Sequence, residues 1–305
     1  MAKNNIIMFF CKKVEMSKLQ NTYENKIHGR IDFPYIIYSG RLPEFLRYFP
    51  LHWHDEFELI WIKSGKGYFR VLSQEFLCET DDIIIIPPGA IHSIRQMDDE
   101  VCIYYNILFK FSLLEQDEKS FTYQKYFKPF VDAANFISCA RSGKPLNKSL
   151  LPDIKFLIDN RREHLENKEL IIKSRLFMIM SDLQSALISS SSENEVKMLG
   201  LERLKPILQY VSDNYGTDIS IEDAAEMASM SPTYFMKFFK KRLGITFVNY
   251  LNQVRLENAQ LFLKTSDMNI SEICEKCGFH NFSYFIRTFK SALGCTPKDF
   301  RKRKE

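Results

Sequence analysis

The chain has little of what marks an exported or membrane-spanning protein. Across 305 residues no uninterrupted apolar run approaches the roughly 18–20 residues that cross a bilayer. Ile6–Cys11 is apolar but too brief for a secretory leader, and Cys11-Lys12-Lys13 offers no small-residue cleavage pattern. The 7 cysteines are an odd number scattered over a long chain, which excludes a disulfide scaffold and suits a reducing cytoplasm. A cytoplasmic protein without a membrane partner is the expectation.

What is present points to packed domains. The chain is 45% apolar and 26% charged, enough to build real cores, and its length suits two domains or three small ones. The net charge of +4 is unremarkable as a total, but its placement is not. Residues 1–199 hold 26 basic and 26 acidic side chains, whereas residues 200–305 hold 16 and 12. The excess therefore lies in the last third, which ends in Arg301-Lys302-Arg303-Lys304. A basic domain joined to a neutral one suits a polyanionic partner, although a solvated basic face gives the same count.

Three regions separate by pattern. Residues 27–112 alternate apolar and polar side chains in short runs broken by Gly and Pro, as in Phe57–Ile62, Gly67–Val71 and Ile83–Ile86. Such runs predict the short strands of a sandwich or small barrel. Residues 121–190 change to a helical period, with Ile154, Leu157 and Ile158, then Leu176, Phe177, Met180, Leu183 and Leu187, three or four apart. That stripe suits either packing on the barrel or a seam between two copies of the chain. Ser189–Glu195 is polar and Ser-rich, the composition of a linker. Residues 200–302 read as helical throughout.

This last region contains a repeat about fifty residues apart. Tyr234-Phe235 matches Tyr284-Phe285, Phe239-Lys240 matches Phe289-Lys290, Leu243-Gly244 matches Leu293-Gly294, and Thr246 matches Thr296. Each copy predicts helix, short turn, helix. Ser220 caps a helix through Ala228, Ser231 with Pro232 opens the next, and Gly244 closes it. In the second copy Ile270–Cys277 is the first helix, Asn281 caps the next, and Gly294 closes it. Phe235, Phe239 and Leu243 share a face, as do Phe285, Phe289 and Leu293, so these faces are expected to be core. The long apolar-striped segment Thr246–Thr265 is expected to join the copies.

The opposite faces are then free. They carry Thr233, Met236, Lys237, Lys240 and Lys241 in the first copy, and Phe282, Ser283, Arg287 and Lys290 in the second. A helix-turn-helix lays the start of its second helix in the major groove, where Arg or Lys can donate to guanine and Ser or Thr adapt to several bases. Lys240, Lys241 and Lys290 lie farther along and suit phosphates. Cys274-x-x-Cys277 with His280 and Cys295 is an incomplete zinc set, and helix-packing cysteines account for it better.

Residues 203–302 resemble the DNA-binding domain of the AraC/XylS family of bacterial transcription regulators. The resemblance rests on Ile273–Phe279, Tyr284–Lys290 and Gly294–Arg301, with Cys274 standing where the family usually has Ala. It implies two units reading successive major grooves on one face of the duplex, roughly one helical turn apart.

The first region holds a second constellation: His52-x-His54-x-x-x-Glu58, then Gly65, later Pro87-Pro88-Gly89-Ala90-Ile91-His92. At even spacing in one strand, His52, His54 and Glu58 would share a face, with His92 closing the group from another strand. This resembles the two motifs of the cupin β-barrel, with Asp81 where the second motif usually has Gly. The resemblance implies a divalent-metal site at His52, His54, Glu58 and His92, or an organic effector in the barrel interior. Trp53, Trp61, Tyr68 and Phe69 are candidate walls of such a pocket.

The expected fold is an α+β multidomain chain. It comprises a cupin-like sensor barrel (1–120), a helical dimerisation segment (121–190), a linker (191–200) and an all-α double helix-turn-helix domain (201–305). The expected function is ligand-modulated, sequence-specific binding of promoter DNA by a homodimer, with a sugar among the effector classes and RNA polymerase as partner if it activates. The alternative is a metal-dependent cupin enzyme with a tethered helical domain; a purely structural interaction protein leaves the basic repeat unexplained.

Overall fold

A computed structural model describes residues 23–24, 27–43, 48–72, 74–132, 137–163, 165–187 and 203–302. The expected linker at 191–200, Cys11 and Arg303-Lys304 lie outside these residues. The described residues divide into a unit within 25–202 and a unit made of 203–302 with 23–24.

In the first unit two antiparallel sheets face each other. One runs β1 (Tyr35–Leu42), β8 (Cys102–Phe109), β3 (Phe57–Ser64), β6 (Ile83–Ile86), β9 (Cys139–Ala140). The other runs β2 (Tyr48–His52), β7 (His92–Gln96), β4 (Lys66–Val71), β5 (Gln74–Glu79). β4 shows the alternation of a sheet with one wet face: Gly67, Phe69 and Val71 are buried, while Lys66, Tyr68 and Arg70 are only half-buried. β3 and β6 are buried on both faces, which explains their continuous apolar runs. Their second face is covered by helices: a π-turn at Tyr123–Phe127 leading into α1 (Lys128–Val131), then α2 (Pro145–Asp159) and α3 (Lys168–Leu183). Leu150, Ile154 and Leu157 of α2, with Leu176, Ile179 and Met180 of α3, belong to the same buried cluster as the strands. Arg175 Nη1 on α3 donates to Asp153 Oδ1 on α2 at 2.7 Å.

Two expectations need correction here. The segment 121–190 is not wholly helical: Cys139–Ala140 forms β9 and pairs with β6, an interaction too distant in sequence to leave a local period. Of the expected dimer seam, Leu157 and Met180 are enclosed in the chain's own core and Leu187 packs against it, leaving Phe177 exposed. Asp81 adopts φ +68°, the left-handed backbone that favours Gly and that Asp tolerates. Its carboxylate accepts from Trp61 Nε1 at 2.9 Å and lies 3.1 Å from Lys155 Nζ.

The second unit contains α4 (Lys205–Asn214), α5 (Ile221–Met227), α6 (Pro232–Leu243), α7 (Phe247–Thr265), α8 (Ile270–Lys276), α9 (Phe282–Leu293) and α10 (Pro297–Lys302). The boundaries follow local chemistry. Ser220 with Asp223 and Asn269 with Glu272 form reciprocal caps at α5 and α8. Ser231 and Asn281 cap α6 and α9, which both end on glycines in the left-handed region, Gly244 and Gly294. Thr246 and Thr296 accept from Asn249 N and Asp299 N, each at 3.2 Å, at the starts of α7 and α10. The sequence repeat is thus a repeat of caps as well as of core residues.

Candidate nucleic-acid interface and sensor cluster

α6 and α9 are the second helices of the two helix-turn-helix copies. Phe235, Phe239 and Leu243 are buried on α6, and Phe285, Phe289 and Leu293 on α9. Their other faces are open: Thr233, Met236, Lys237, Lys240 and Lys241 are exposed in the first copy, and Phe282, Ser283, Arg287 and Lys290 in the second. Met236 and Phe282 add apolar groups to these faces, at 43% and 46% exposure.

Sequence reasoning passed over Tyr234 and Tyr284, both exposed at the first turn of these helices. Their matching places in the repeat were the available signal. Tyr284 Oη accepts from Asn252 Nδ2 on α7 at 2.8 Å, and the Arg287 guanidinium lies 5.9 Å from the Tyr284 ring centre. Arg255 on α7 ties the copies together. Its Nε and Nη2 donate to the carbonyls of Tyr215 and Thr217, both at 2.9 Å, and its guanidinium lies 5.8 Å from the Phe279 ring.

The zinc set does not assemble. Cys274, Cys277 and Cys295 are buried, Cys274 Sγ donates to Phe279 O at 3.2 Å, and burial pushes the Cys277 thiol up to about 12. His280 is exposed and paired with Asp218 at 2.6 Å. Among the described residues no metal-sized cluster includes them.

In the barrel, His52, His54, Glu58 and His92 do converge, though not from one strand. β2 ends at His52 and β3 begins at Phe57, so the chain crosses from one sheet to the other between them. His52 is paired in register with His92, their rings 4.0 Å apart, and Glu58 faces them from the opposite sheet. The ligand nitrogens of His52, His54 and His92 lie within 4.8 Å of one another, and all three residues are buried.

His54 Nδ1 lies 3.2 Å from Glu56 O and His92 Nδ1 lies 2.8 Å from Ala90 O, contacts in which a ring N–H donates to the carbonyl. Both Nε2 atoms lie 3.1 Å from Glu58 Oε2, and His54 Nε2 is in hydrogen-bond geometry with it. A ring proton or a bound cation makes such a contact with the carboxylate favourable. His92 Nε2 is off the line of a hydrogen bond and has no aligned partner. Burial would raise the Glu58 carboxyl, but the contacts from His54 and His92 outweigh it and hold Glu58 below the usual carboxylate range. Imidazole nitrogens with one carboxylate, the Nδ1 atoms of His54 and His92 set against backbone carbonyls, fit a divalent ion of the iron, manganese or zinc type.

Two expected pocket walls are corrected. Trp61 stands on the face of β3 opposite Glu58 and lies under α2, with Lys155 Nζ 5.1 Å from its ring. Tyr68 lies on the outer face of β4, stacked 3.7 Å from the Arg95 guanidinium. The period-2 rule would have found both once Glu58 and Phe69 were fixed inside. Unforeseen neighbours replace them. The His28 ring lies 5.7 Å from His54, Tyr38 Oη lies 3.4 Å from His28 Nδ1, and Asn106 shares the Glu58 face with its Oδ1 buried and unpartnered.

Comparison with known proteins agrees with this geometry. Residues 38–162 match the family model of the AraC-like ligand binding domain, and residues 224–303 match that of a helix-turn-helix domain. The Bacillus subtilis HTH-type transcriptional regulator YdeC is 24% identical over 289 residues, covering 93% of this chain and 97% of its own. The HTH-type transcriptional activator RhaS of Mannheimia succiniciproducens is 25% identical over 267 residues, covering 87% and 93%. Among solved structures, ToxT from Vibrio cholerae aligns with 88% of this chain and 98% of its own at 16% identity and a TM-score of 0.47. The chain thus joins a ligand-binding β-domain to a helix-turn-helix DNA-binding domain, and it belongs to the AraC family of transcriptional regulators.

Proposed function

We propose that this regulator reads two adjacent boxes of promoter DNA with α6 and α9, as a cytoplasmic homodimer and without catalytic activity. The observation that carries the reading is the pair of helices, each opened by a side-chain cap and closed by a left-handed glycine, with a phenylalanine face buried and a cationic face open. Thr233, Met236, Lys237, Phe282, Ser283 and Arg287 meet base edges; Lys240, Lys241 and Lys290 meet phosphates. A small polar effector, a sugar among the classes that fit, acts from the barrel by binding one arrangement of the protein more tightly than another. Where the outcome is activation, RNA polymerase is the further partner.

The test compares operator with random DNA. Arg287→Ala loses about 1–3 kcal/mol of discrimination while its binding to random DNA is retained. Lys290→Ala weakens both and lowers the salt slope by about one. Equal loss on both DNAs for Arg287→Ala overturns the base-reading role.

The orphaned His92 Nε2 beside Glu58 favours a second element of the reading, a divalent ion held by His52, His54, Glu58 and His92. Such an ion would give His92 Nε2 a partner and supply a Lewis-acidic point for an effector's oxygen. Zinc titrated into chelator-stripped protein by calorimetry should bind one per chain, and His54→Gln should abolish it. Absence of binding removes the metal, and turnover of a substrate by the loaded protein would favour the enzyme alternative.

A further inference from the structure

β5 and β9 are edge strands of the two different sheets, and each carries a buried cysteine. Cys78 Sγ lies 3.7 Å from Cys139 Sγ, although 61 positions separate them in the chain. With Asp82 they form a second cluster of ligand-type side chains. Asp82, however, is already engaged. Its Oδ2 accepts from Arg141 Nη1 at 2.8 Å and Glu79 N at 3.0 Å, and its Oδ1 accepts from Ser142 N at 2.8 Å. Two sulfurs beside a guanidinium are too few for a structural metal, which takes about four ligands. Arg141 Nη1 also donates to Leu77 O at 2.5 Å. One guanidinium therefore ties the strand of Cys139 to residues on both sides of Cys78 and keeps the sulfurs in contact.

We propose that Cys78 and Cys139 are a peroxide-oxidisable thiol pair whose disulfide staples the edges of the two sheets. Closing from the 3.7 Å contact to the roughly 2.05 Å of a disulfide brings the sulfurs less than about 2 Å nearer, and the strand that must follow, β9, is only two residues long. Either sulfur can donate to the other across this contact, and the Arg141 cation favours a thiolate on both. With Cys78 as the donor, Cys139 is the attacking sulfur and, against its burial, is held below the usual thiol range. The thiolate is the nucleophile. It attacks one oxygen of hydrogen peroxide, the O–O bond breaks, and Cys139 becomes a sulfenic acid. The hydroxide released takes up the proton that Cys139 lost and leaves as water. Cys78 sulfur then attacks Cys139 sulfur, the S–O bond breaks, and the second hydroxide leaves as water with the Cys78 proton. Two thiols are oxidised by two electrons and one peroxide is reduced to two waters. The contact with Cys139 and burial push the Cys78 thiol up, which suits the resolving sulfur, and burial pushes Cys102 and Cys277 up to about 12.

The experiment treats the reduced full-length protein with a few equivalents of hydrogen peroxide, alkylates the remaining thiols, digests without reductant and maps the peptides by mass spectrometry. The expected product joins the Cys78 and Cys139 peptides, forms before Cys102 or Cys277 is modified, and disappears with dithiothreitol. In Cys78→Ser the sulfenic acid at Cys139 persists and is trapped by dimedone. Wild-type protein that keeps both thiols, or that joins either cysteine to another partner, overturns the proposal.

Discussion

Gly278 and Gly294 have nearly the same backbone, with φ of +75° and +73°, yet different surroundings. A Cβ on Gly294 would meet nothing within 4 Å, whereas one on Gly278 would lie 2.6 Å from Tyr215 O and 3.0 Å from Arg255 Nε. Gly294→Ala should therefore cost only the left-handed penalty, about 1–2 kcal/mol. Gly278→Ala adds to that penalty the clash with the Tyr215 carbonyl and the displacement of Arg255, whose charged hydrogen bonds are worth roughly 1.5–3 kcal/mol each. Urea unfolding should rank Gly278→Ala as clearly the more destabilising; equal losses would show that the Tyr215 backbone and Arg255 both yield freely. The same scale explains what the sequence hid in the barrel. His54, Glu58 and His92 sit in recognisable motifs, but His28, Tyr38 and Asn106 join them only through pairing of distant strands, as Tyr38↔Asn106 across β1 and β8 shows.

At the level of elements, legibility follows the range of the determining interaction. Caps, turns and helix faces are set within three or four residues, so Ser220, Ser231, Asn281, Gly244 and Gly294 could be placed from sequence and the phenylalanine faces with them. Strands are set by partners far away. The even spacing of His52, His54 and Glu58 suggested a single strand, yet the residues meet because the chain changes sheets between them. Trp61 and Tyr68 were assigned to the interior by residue type alone, and their side was decided by the register of β3 and β4. β9 was invisible for the same reason: two residues carry no period, and Ile83↔Ala140 is a contact that only the folded chain makes.

For the molecule as a whole, the buried cluster of the barrel and its helices draws on residues between Leu42 and Leu183, while the DNA-reading copies pack around their own phenylalanines. Those copies hang on α7, one unbroken helix of 19 residues. At about 1.5 Å per residue it measures about 28 Å, somewhat less than the roughly 34 Å of one turn of B-DNA. Arg255 fastens its middle to the loop ahead of α5. On the proposed reading α7 sets the spacing of the two boxes, as a ruler that cannot stretch. Five extra base pairs between the two boxes would turn the second box to the far side of the duplex. Ten would bring it back into phase but about 34 Å too distant. Two modules on a loose tether would regain binding at ten, whereas this protein should lose it at both spacings, and recovery at ten in a gel-shift series would mean that the ruler breaks.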